Sequence, residues 1–454
     1  MFFLPNGIKF FFFICVNTKN VVPLHTLMKH FVSKIWNSPS VRDVGKLLSA
    51  NVIAQALGLL IYPILTRLYS PDDFGLLNLF MSIGGIFVLV ATADYQNAIV
   101  LPKEEDRARA LVQVCIILLL SVITILIISI PFSHPIAMLF KAPDLAHWWW
   151  MMPLYVGGLG LWTILSNYYI RYKAFHRISV YQMSQSVLNA GGKLGLGAMG
   201  FLSGGMIVST IVAPILAIRA SLLNGGRRLV AGLFRVDKSA LRNEAAEYRN
   251  FPLYSMPRSL VNTLSGNLPF LMLTPVFGLT ELGHFGMAFT LSFRPMQIVV
   301  QSVYQVLYQR TAQLVNEKKT IGTLIFTFVK KMLLLEIPAF IGLYFALPAL
   351  TEWLLGENWR IAGAYIRLLL RWLLMVSITT TINFIPDIFG KQRMMLLIEI
   401  FYLLLRIAAL FVGIYYDSFL WTIRLFSYSG VIVLFGELLW FAVLARSYDK
   451  KTVL

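Results

Sequence analysis

Residues 247–278 read EYRNFPLYSMPRSLVNTLSGNLPFLMLTPVFG. The stretch is long enough to cross a bilayer, yet it holds Pro252, Pro257, Pro269 and Pro275 and one arginine, Arg258. Proline removes a backbone donor and bends a helix. Such breaks persist in membrane helices where neighbouring helices or a cavity satisfy the freed carbonyls. A charge at membrane depth costs about 2.5–3.5 kcal/mol on insertion scales, so an arginine retained there marks a place to look for function. The stretch reads as a jointed, cation-bearing helix that opens the second half of a membrane protein.

Composition agrees with that setting. Hydrophobic residues make up 58% of the chain and charged residues 13%, with a mean hydropathy of +0.72; a soluble chain carries about 25% charged residues. A net charge of +18 would ordinarily suggest a nucleic-acid partner. Here the cations sit in short loops between apolar runs, which is a membrane pattern and excludes nucleic acid. Cys15 and Cys115 both lie in apolar runs without metal or redox spacing.

Working outward, the sequence predicts an all-α integral membrane fold of about twelve crossings: 47–66, 75–100, 110–131, 148–169, 178–199, 201–222, 251–277, 284–309, 332–350, 361–385, 395–415 and 419–446. Residues 320–331 read as a surface helix leading into the ninth. With the N-terminus in the cytoplasm, the outer loops hold only Arg67, Lys141 and Arg360, while the inner loops hold nearly all the other loop lysines and arginines. The positive-inside rule then places both termini in the cytoplasm, and the basic rim would meet anionic membrane lipids. The expected division is an N-terminal extension at 1–40, a six-helix lobe at 41–222, a basic cytoplasmic linker at 223–250, a second six-helix lobe at 251–446 and a tail at 447–454. The apolar run 10–16 is too short to span and lacks a cleavage site, so residues 1–27 read as an extension with Met28 an alternative start.

The cations left inside the predicted helices are Lys193, Arg219, Arg258, Arg294, Arg367, Arg371, Arg406 and Arg424; the acids are Asp94, Glu336, Glu399 and Glu437. Arg219, Arg367 and Arg424 lie near helix ends, where long side chains snorkel. Arg258, Arg294, Arg371 and Arg406 lie deeper, and the acids are too few to neutralise all of them. The surplus predicts a water-filled cationic cavity between the lobes, suited to an anionic substrate. The candidates to line it are Arg258, Arg294, Arg371, Arg406 and Lys193; the competing reading for each is a structural ion pair. Lys193 falls in a glycine run from Gly191 to Gly205 that also reads as close helix packing. Asp94 carries a coupling proton or holds an arginine. Asn51 and Gln55 face sugar hydroxyls or hydrogen-bond between helices. The Trp148-Trp149-Trp150 run reads as an interfacial belt, with stacking on sugar rings the alternative.

The halves echo one another. Leu65-Thr66-x-x-Tyr69-x-x-x-Asp73-x-Gly75 returns 208 residues later as Leu273-Thr274-x-x-Phe277-x-x-x-Glu281-x-Gly283. Both copies run in the same sense, so the repeat is parallel, with its axis along the membrane normal.

Residues 46–109, with Pro63-x-x-Thr66-Arg67-x-Tyr69-Ser70-Pro71-x-Asp73-Phe74-Gly75 and then Asp94-Tyr95-x-x-Ala98-Ile99-x-Leu101-Pro102, resemble the opening of bacterial polysaccharide and O-antigen flippases of the multidrug/oligosaccharidyl-lipid/polysaccharide superfamily. Residues 251–273 resemble that family's seventh helix. The resemblance implies two lobes around a central cavity in the bacterial inner membrane. It also implies translocation of an undecaprenyl-diphosphate-linked oligosaccharide by alternating access, with a polysaccharide polymerase as possible partner. The diphosphate would be the anion that the arginines meet.

Two rival readings stand beside it. Asp72–Asp73 occupies a position where membrane glycosyltransferases acting on lipid-linked sugars keep a carboxylate, although after Ser70-Pro71 it also reads as a helix N-cap. The related cation exporters would require membrane carboxylates, and this chain has few. There is no P-loop, and the six histidines have no metal spacing, so no enzyme activity, cofactor or metal is expected.

Overall fold

The computed structural model describes residues 55, 58–223 and 238–453. The extension at 1–40, Asn51 and most of the expected linker lie outside the described residues. Those described contain helices and no strand. The main elements are α1 (Tyr62–Leu68), α2 (Pro71–Thr92), α3 (Glu105–Ile128), α4 (Met152–Arg171), α5 (Phe175–Ala198), α6 (Leu202–Ser221), α7 (Lys238–Glu247), α8 (Met256–Asn316), α9 (Gly322–Leu355), α10 (Arg360–Ile382), α11 (Gln392–Tyr415) and α12 (Phe419–Val453). Eight helices among the described residues are long and apolar enough to cross a membrane, residues 251–316 counting once. The protein is an all-α, multi-pass membrane protein. As far as they are described, the expected crossings fall on helix, except that the second, expected over 75–100, ends at Thr92, where Ala93 and Asp94 turn left-handed and take Asp94 out of the helix.

The turn between α1 and α2 follows from four residues. Ser70 is the N-cap, Pro71 supplies a first helical residue that needs no donor, and Asp73 completes a reciprocal capping box. The Asp73 carboxylate accepts from the Ser70 backbone N–H and hydroxyl, both at 2.8 Å. Its Oδ2 is thus committed to the cap, and Asp72 accepts from Thr280 at 2.6 Å. In the second half the equivalent of Ser70 is Gly278, whose φ of 82° breaks α8 into two rods. Only glycine adopts that conformation without strain.

Residues 208 apart meet across the molecule. Asp72 accepts from Thr280, and Asn78 lies against Gly286. A Cβ on Gly75 would fall on the Leu279 carbonyl, and one on Gly283 would fall on the equivalent Pro71 carbonyl. Reciprocal contacts of this kind are what a local two-fold axis produces. The two hairpins cross backbone to backbone, and the glycines are what permit it. Trp359 seals the same end, donating from Nε1 to the Thr66 carbonyl at 3.2 Å and packing edge-on to Phe74.

The opposite end is tied by charge. Arg107 on α3 pairs with Glu244 at 2.6 Å and Glu247 at 2.5 Å on α7, so the described part of the linker is clamped to the first half. Tyr95 donates to the Ala245 carbonyl at 2.8 Å. Arg171, at the end of α4, donates to the carbonyls of Ile99, Pro102, Lys103 and Glu104 and so fixes the chain that follows α2.

One expected boundary differs. Residues 320–331 are not a separate surface helix but the start of α9, which runs 34 residues without a break. No glycine or proline separates Lys331 from the apolar run, so nothing stops the helix. At 1.5 Å per residue it is about 50 Å long, against roughly 30 Å of bilayer hydrocarbon. Its first backbone N–H groups are capped from α12: Asp449 accepts from Ile321 at 2.7 Å and from Gly322 at 2.8 Å. Residues 447–453, expected as a tail, are therefore helical and hold α9 in place.

Replacing either crossing glycine tests this arrangement. Gly75→Ala and Gly283→Ala each lower stability by about 1–3 kcal/mol or more, because a carbonyl fixed in a helix cannot retreat. Gly342→Ala, which meets nothing within 4 Å, is neutral or stabilising. Thermal melting of detergent-solubilised protein reads the difference, and equal melting of all three variants would rule out the close crossing.

Candidate substrate cavity

α5 is long enough to span but too polar for the apolar criterion, and its polar residues fall on one face. Gln182, Gln185, Asn189 and Lys193 recur at helical spacing. Beside that face α5 packs closely on α6 and α1. Gly192 lies against Ser209, and Gly197 and Gly205 lie against the Tyr69 ring. Tyr69 also donates to the Lys193 carbonyl at 2.6 Å. The glycine run is thus packing that fixes the rotation of α5, and that rotation turns the polar face inward.

The inward face lines a cavity of about 380 Å³, within the range of small-ligand sites. Walls come from Gln55 and α1, from α2, α4, α5 and α6, and from the second rod of α8 with Gly286, Thr290 and Arg294. Lys193 and Arg294 are its charged lining residues, and among the described residues that line it there is no aspartate or glutamate. Neither cation forms an ion pair among the described residues. The side-chain carbonyl oxygens of Gln182 and Asn189 are buried and accept no hydrogen bond from the described residues.

Of the expected site residues, the structure brings together Lys193, Arg294 and Gln55. Sequence reasoning misses Gln182, Gln185 and Asn189; their spacing relative to Lys193 is the signal that finds them. The other deep arginines lie elsewhere. Arg258 is half-exposed and sits 3.6 Å from Glu399. Arg371 is exposed and donates to the Tyr428 hydroxyl. Arg406 is buried among aromatic rings, its guanidinium 4.1 Å from the centroid of Tyr402 and 4.6 Å from that of Phe426.

Arg406 has a specific structural task. Pro269 has no N–H, so the Ser265 carbonyl one turn earlier loses its helical donor. Arg406 donates to that carbonyl at 3.1 Å and to the Ser265 hydroxyl at 2.8 Å. The proline in the jointed helix is thus answered by an arginine on α11.

Asp94 forms no ion pair among the described residues. It accepts from Ser259 at 2.7 Å, from Gln96 at 3.1 Å and from Asn97 at 3.4 Å. It joins α2 to α8 at the end away from the hairpins. Glu336 accepts from Ser377 at 2.7 Å. In the tryptophan run only Trp150 is exposed; Trp148 packs on Gly204, and Trp149 is buried and donates to Ser129.

Known proteins add the lineage. Residues 64–363 match the model of a family described as "Polysaccharide biosynthesis protein". The chain belongs to that family. The matched region of this polysaccharide biosynthesis protein includes Lys193 and Arg294, whereas Arg371 and Arg406 lie beyond it. Over 338 residues it is 22% identical to the succinoglycan biosynthesis transport protein ExoT of Rhizobium meliloti (strain 1021), a match covering 72% of this chain and 65% of that protein.

Solved structures share the fold. The lipid II flippase MurJ in an inward closed conformation superposes with a TM-score of 0.68 at 13% identity, over 90% of each chain. An inward-facing multidrug resistance MATE transporter of the MOP superfamily gives 0.62 at 13% identity, over 91% of this chain and 99% of that one. A MOP superfamily transporter from Pyrococcus furiosus, described as having a binding pocket of reverse polarity, gives 0.55 at 14% identity, over 91% and 98%.

Arg406, buried among rings, and Lys193, on the cavity wall, respond differently to removal. Arg406→Met costs about 2–4 kcal/mol through the lost carbonyl bond and ring contacts. Pro269→Ala restores a donor to Ser265 and recovers part of that loss, whereas Lys193→Met leaves stability unchanged or raised. A double-mutant cycle on melting in detergent measures the coupling; strictly additive effects of Arg406→Met and Pro269→Ala would remove the assignment.

Proposed function

We propose that this polysaccharide biosynthesis protein is a flippase for an undecaprenyl-diphosphate-linked oligosaccharide in the bacterial inner membrane. The observation that carries the reading is the polarity of the cavity. Lys193 and Arg294 converge on it, neutral amides fill the rest of its polar lining, and no carboxylate of the described residues faces it. Guanidinium and ammonium groups in a low-dielectric cavity favour a diphosphate. A lipid-linked cargo needs just such a cavity, since its polar head must cross while its tail stays in lipid. Membership of the family and the fold shared with the lipid II flippase support the same class of cargo.

On this reading the chain crosses the membrane twelve times as two six-helix lobes, with both termini and the α7 end in the cytoplasm, where the basic loops meet anionic lipid. The glycine crossing and Trp359 lie at the periplasmic end. The lobes rock about the hairpin crossing, opening the cavity first to one leaflet and then to the other. Breaking the Asp94–Ser259 contact is part of opening the cytoplasmic side. The surface-polysaccharide machinery implied by the family, including a polymerase, would take the product on the periplasmic side. The cation-exporter alternative is disfavoured, since a cationic drug entering this cavity meets two like charges and, among the described residues, no acid.

Flipping of an undecaprenyl-diphosphate glycan in proteoliposomes tests the reading. Lys193→Ala and Arg294→Ala each lower the rate about tenfold or more, and Arg294→Lys recovers part of the loss. Arg371→Ala, outside the cavity, leaves it unchanged. Normal transport by both cavity variants would overturn the site. A wild-type protein that moves no lipid-linked glycan but exports a cation would overturn the function.

A further inference from the structure

The cavity holds more hydrogen-bonding capacity than a diphosphate uses. Gln182 and Asn189 stand two turns apart on α5, about 10 Å along its axis, and Asn189 is one turn from Lys193. Both of their side-chain carbonyls are buried without a donor among the described residues. Leaving a buried acceptor unmade costs about 1–3 kcal/mol, and two such groups on a single helix face call for something that donates to them.

The facing wall adds a third acceptor. Pro214 inside α6 denies the Thr210 carbonyl its helical donor, and both residues line the cavity. The Thr210 hydroxyl is already spent on Met206, at 2.8 Å. Unlike the Ser265 carbonyl, which Arg406 satisfies, the Thr210 carbonyl accepts no hydrogen bond from a side chain of the described residues. Three neutral acceptors, with amide N–H₂ groups between them, do not suit a second phosphate. They suit a polyhydroxylated group, which donates and accepts by turns.

We propose that the Gln182–Asn189 face of α5, with the Thr210 carbonyl opposite, binds the sugar residues next to the diphosphate and selects among lipid-linked glycans. This rests on the head-group reading of Lys193 and Arg294. The two act in series along one helix: the cation fixes the phosphate, and the amides above it read the hydroxyls attached to that phosphate. A cavity of about 380 Å³ holds the head group and its nearest sugars, not a long glycan. Selection therefore acts on the first sugars and leaves the distal ones free. Such a site rejects a cargo that lacks the matching hydroxyl, because its own acceptors are then left unpaired.

Binding of two kinds of probe to the full-length protein in detergent tests this, by thermophoresis. The probes are bare undecaprenyl diphosphate and undecaprenyl diphosphate carrying one N-acetylglucosamine, glucose or galactose. Wild type binds at least one glycosylated probe more tightly than the bare one. Gln182→Leu with Asn189→Leu removes that preference, a loss of about tenfold for each hydrogen bond withdrawn, and leaves affinity for the bare probe unchanged. Lys193→Met weakens both probes together.

Should the double variant not fold, Gln182→Met and Asn189→Met singly read the same preference. A wild type without preference, a double variant that keeps it, or one that weakens both probes equally would each overturn the inference; in the last two cases water or packing alone occupies the amide face. If instead Lys193→Met leaves both affinities intact while the amide variant abolishes the preference, the sugar face stands and the head-group assignment falls.

Discussion

Two glycines, Gly75 and Gly283, set the distance on which the rest of the molecule depends. Each lets the backbone of one hairpin meet a carbonyl of the other. With α2 and the second rod of α8 in direct contact, the residues a turn or two further along each helix are brought to one place. Asn78, Met81, Thr290 and Arg294 reach the cavity for that reason. Any side chain at the crossing would push the two helices apart and widen the space below it. The electrostatics of the cavity are in that sense set by an absence of atoms at its roof.

The membrane imposes a second constraint, which is that every carbonyl freed by proline must be answered. The structure meets it in two ways. At Pro269 the answer is a cation, Arg406, held by Ser265 and Tyr402 and surrounded by rings. At Pro214 the freed carbonyl belongs to Thr210, a residue that lines the cavity. An arginine spent on the first kind of site is unavailable to a substrate, and a proline at the second kind creates an acceptor for one. The same residue type, placed in two helices, thus serves cohesion in one and recognition in the other.

Much of this was legible in the sequence. The helices follow from apolar length, the turn at Ser70 from Ser-Pro-Asp-Asp, and the pairing of the halves from a repeat at a fixed offset. Gly278 could be read as the partner of Ser70 once that offset is known. Which arginines line the cavity could not be read. Depth in a helix follows from counting residues, but facing follows from rotation about the helix axis, and neighbours fix that rotation. Lys193 owes its inward direction to Gly192, Gly197, Gly205 and Tyr69, the very glycines whose packing reading competed with a site. Arg406 and Ser265 are 141 residues apart, and nothing local links a proline to a distant guanidinium. The amide face of α5 was visible as a periodic stripe, though polar neutral residues draw less notice in an apolar chain than charges do.

The pairing of Asn78 with Gly286 carries a consequence for how such a chain can evolve. A residue on a two-fold axis faces its own copy. In a dimer of identical halves both copies must be small, since two asparagines would claim one volume. Once the halves are fused into one gene, one copy can grow as the other shrinks, and a polar group can be set on the axis itself. Divergence is then greatest where the halves touch, so the trace of the duplication fades first at the positions most shaped by it.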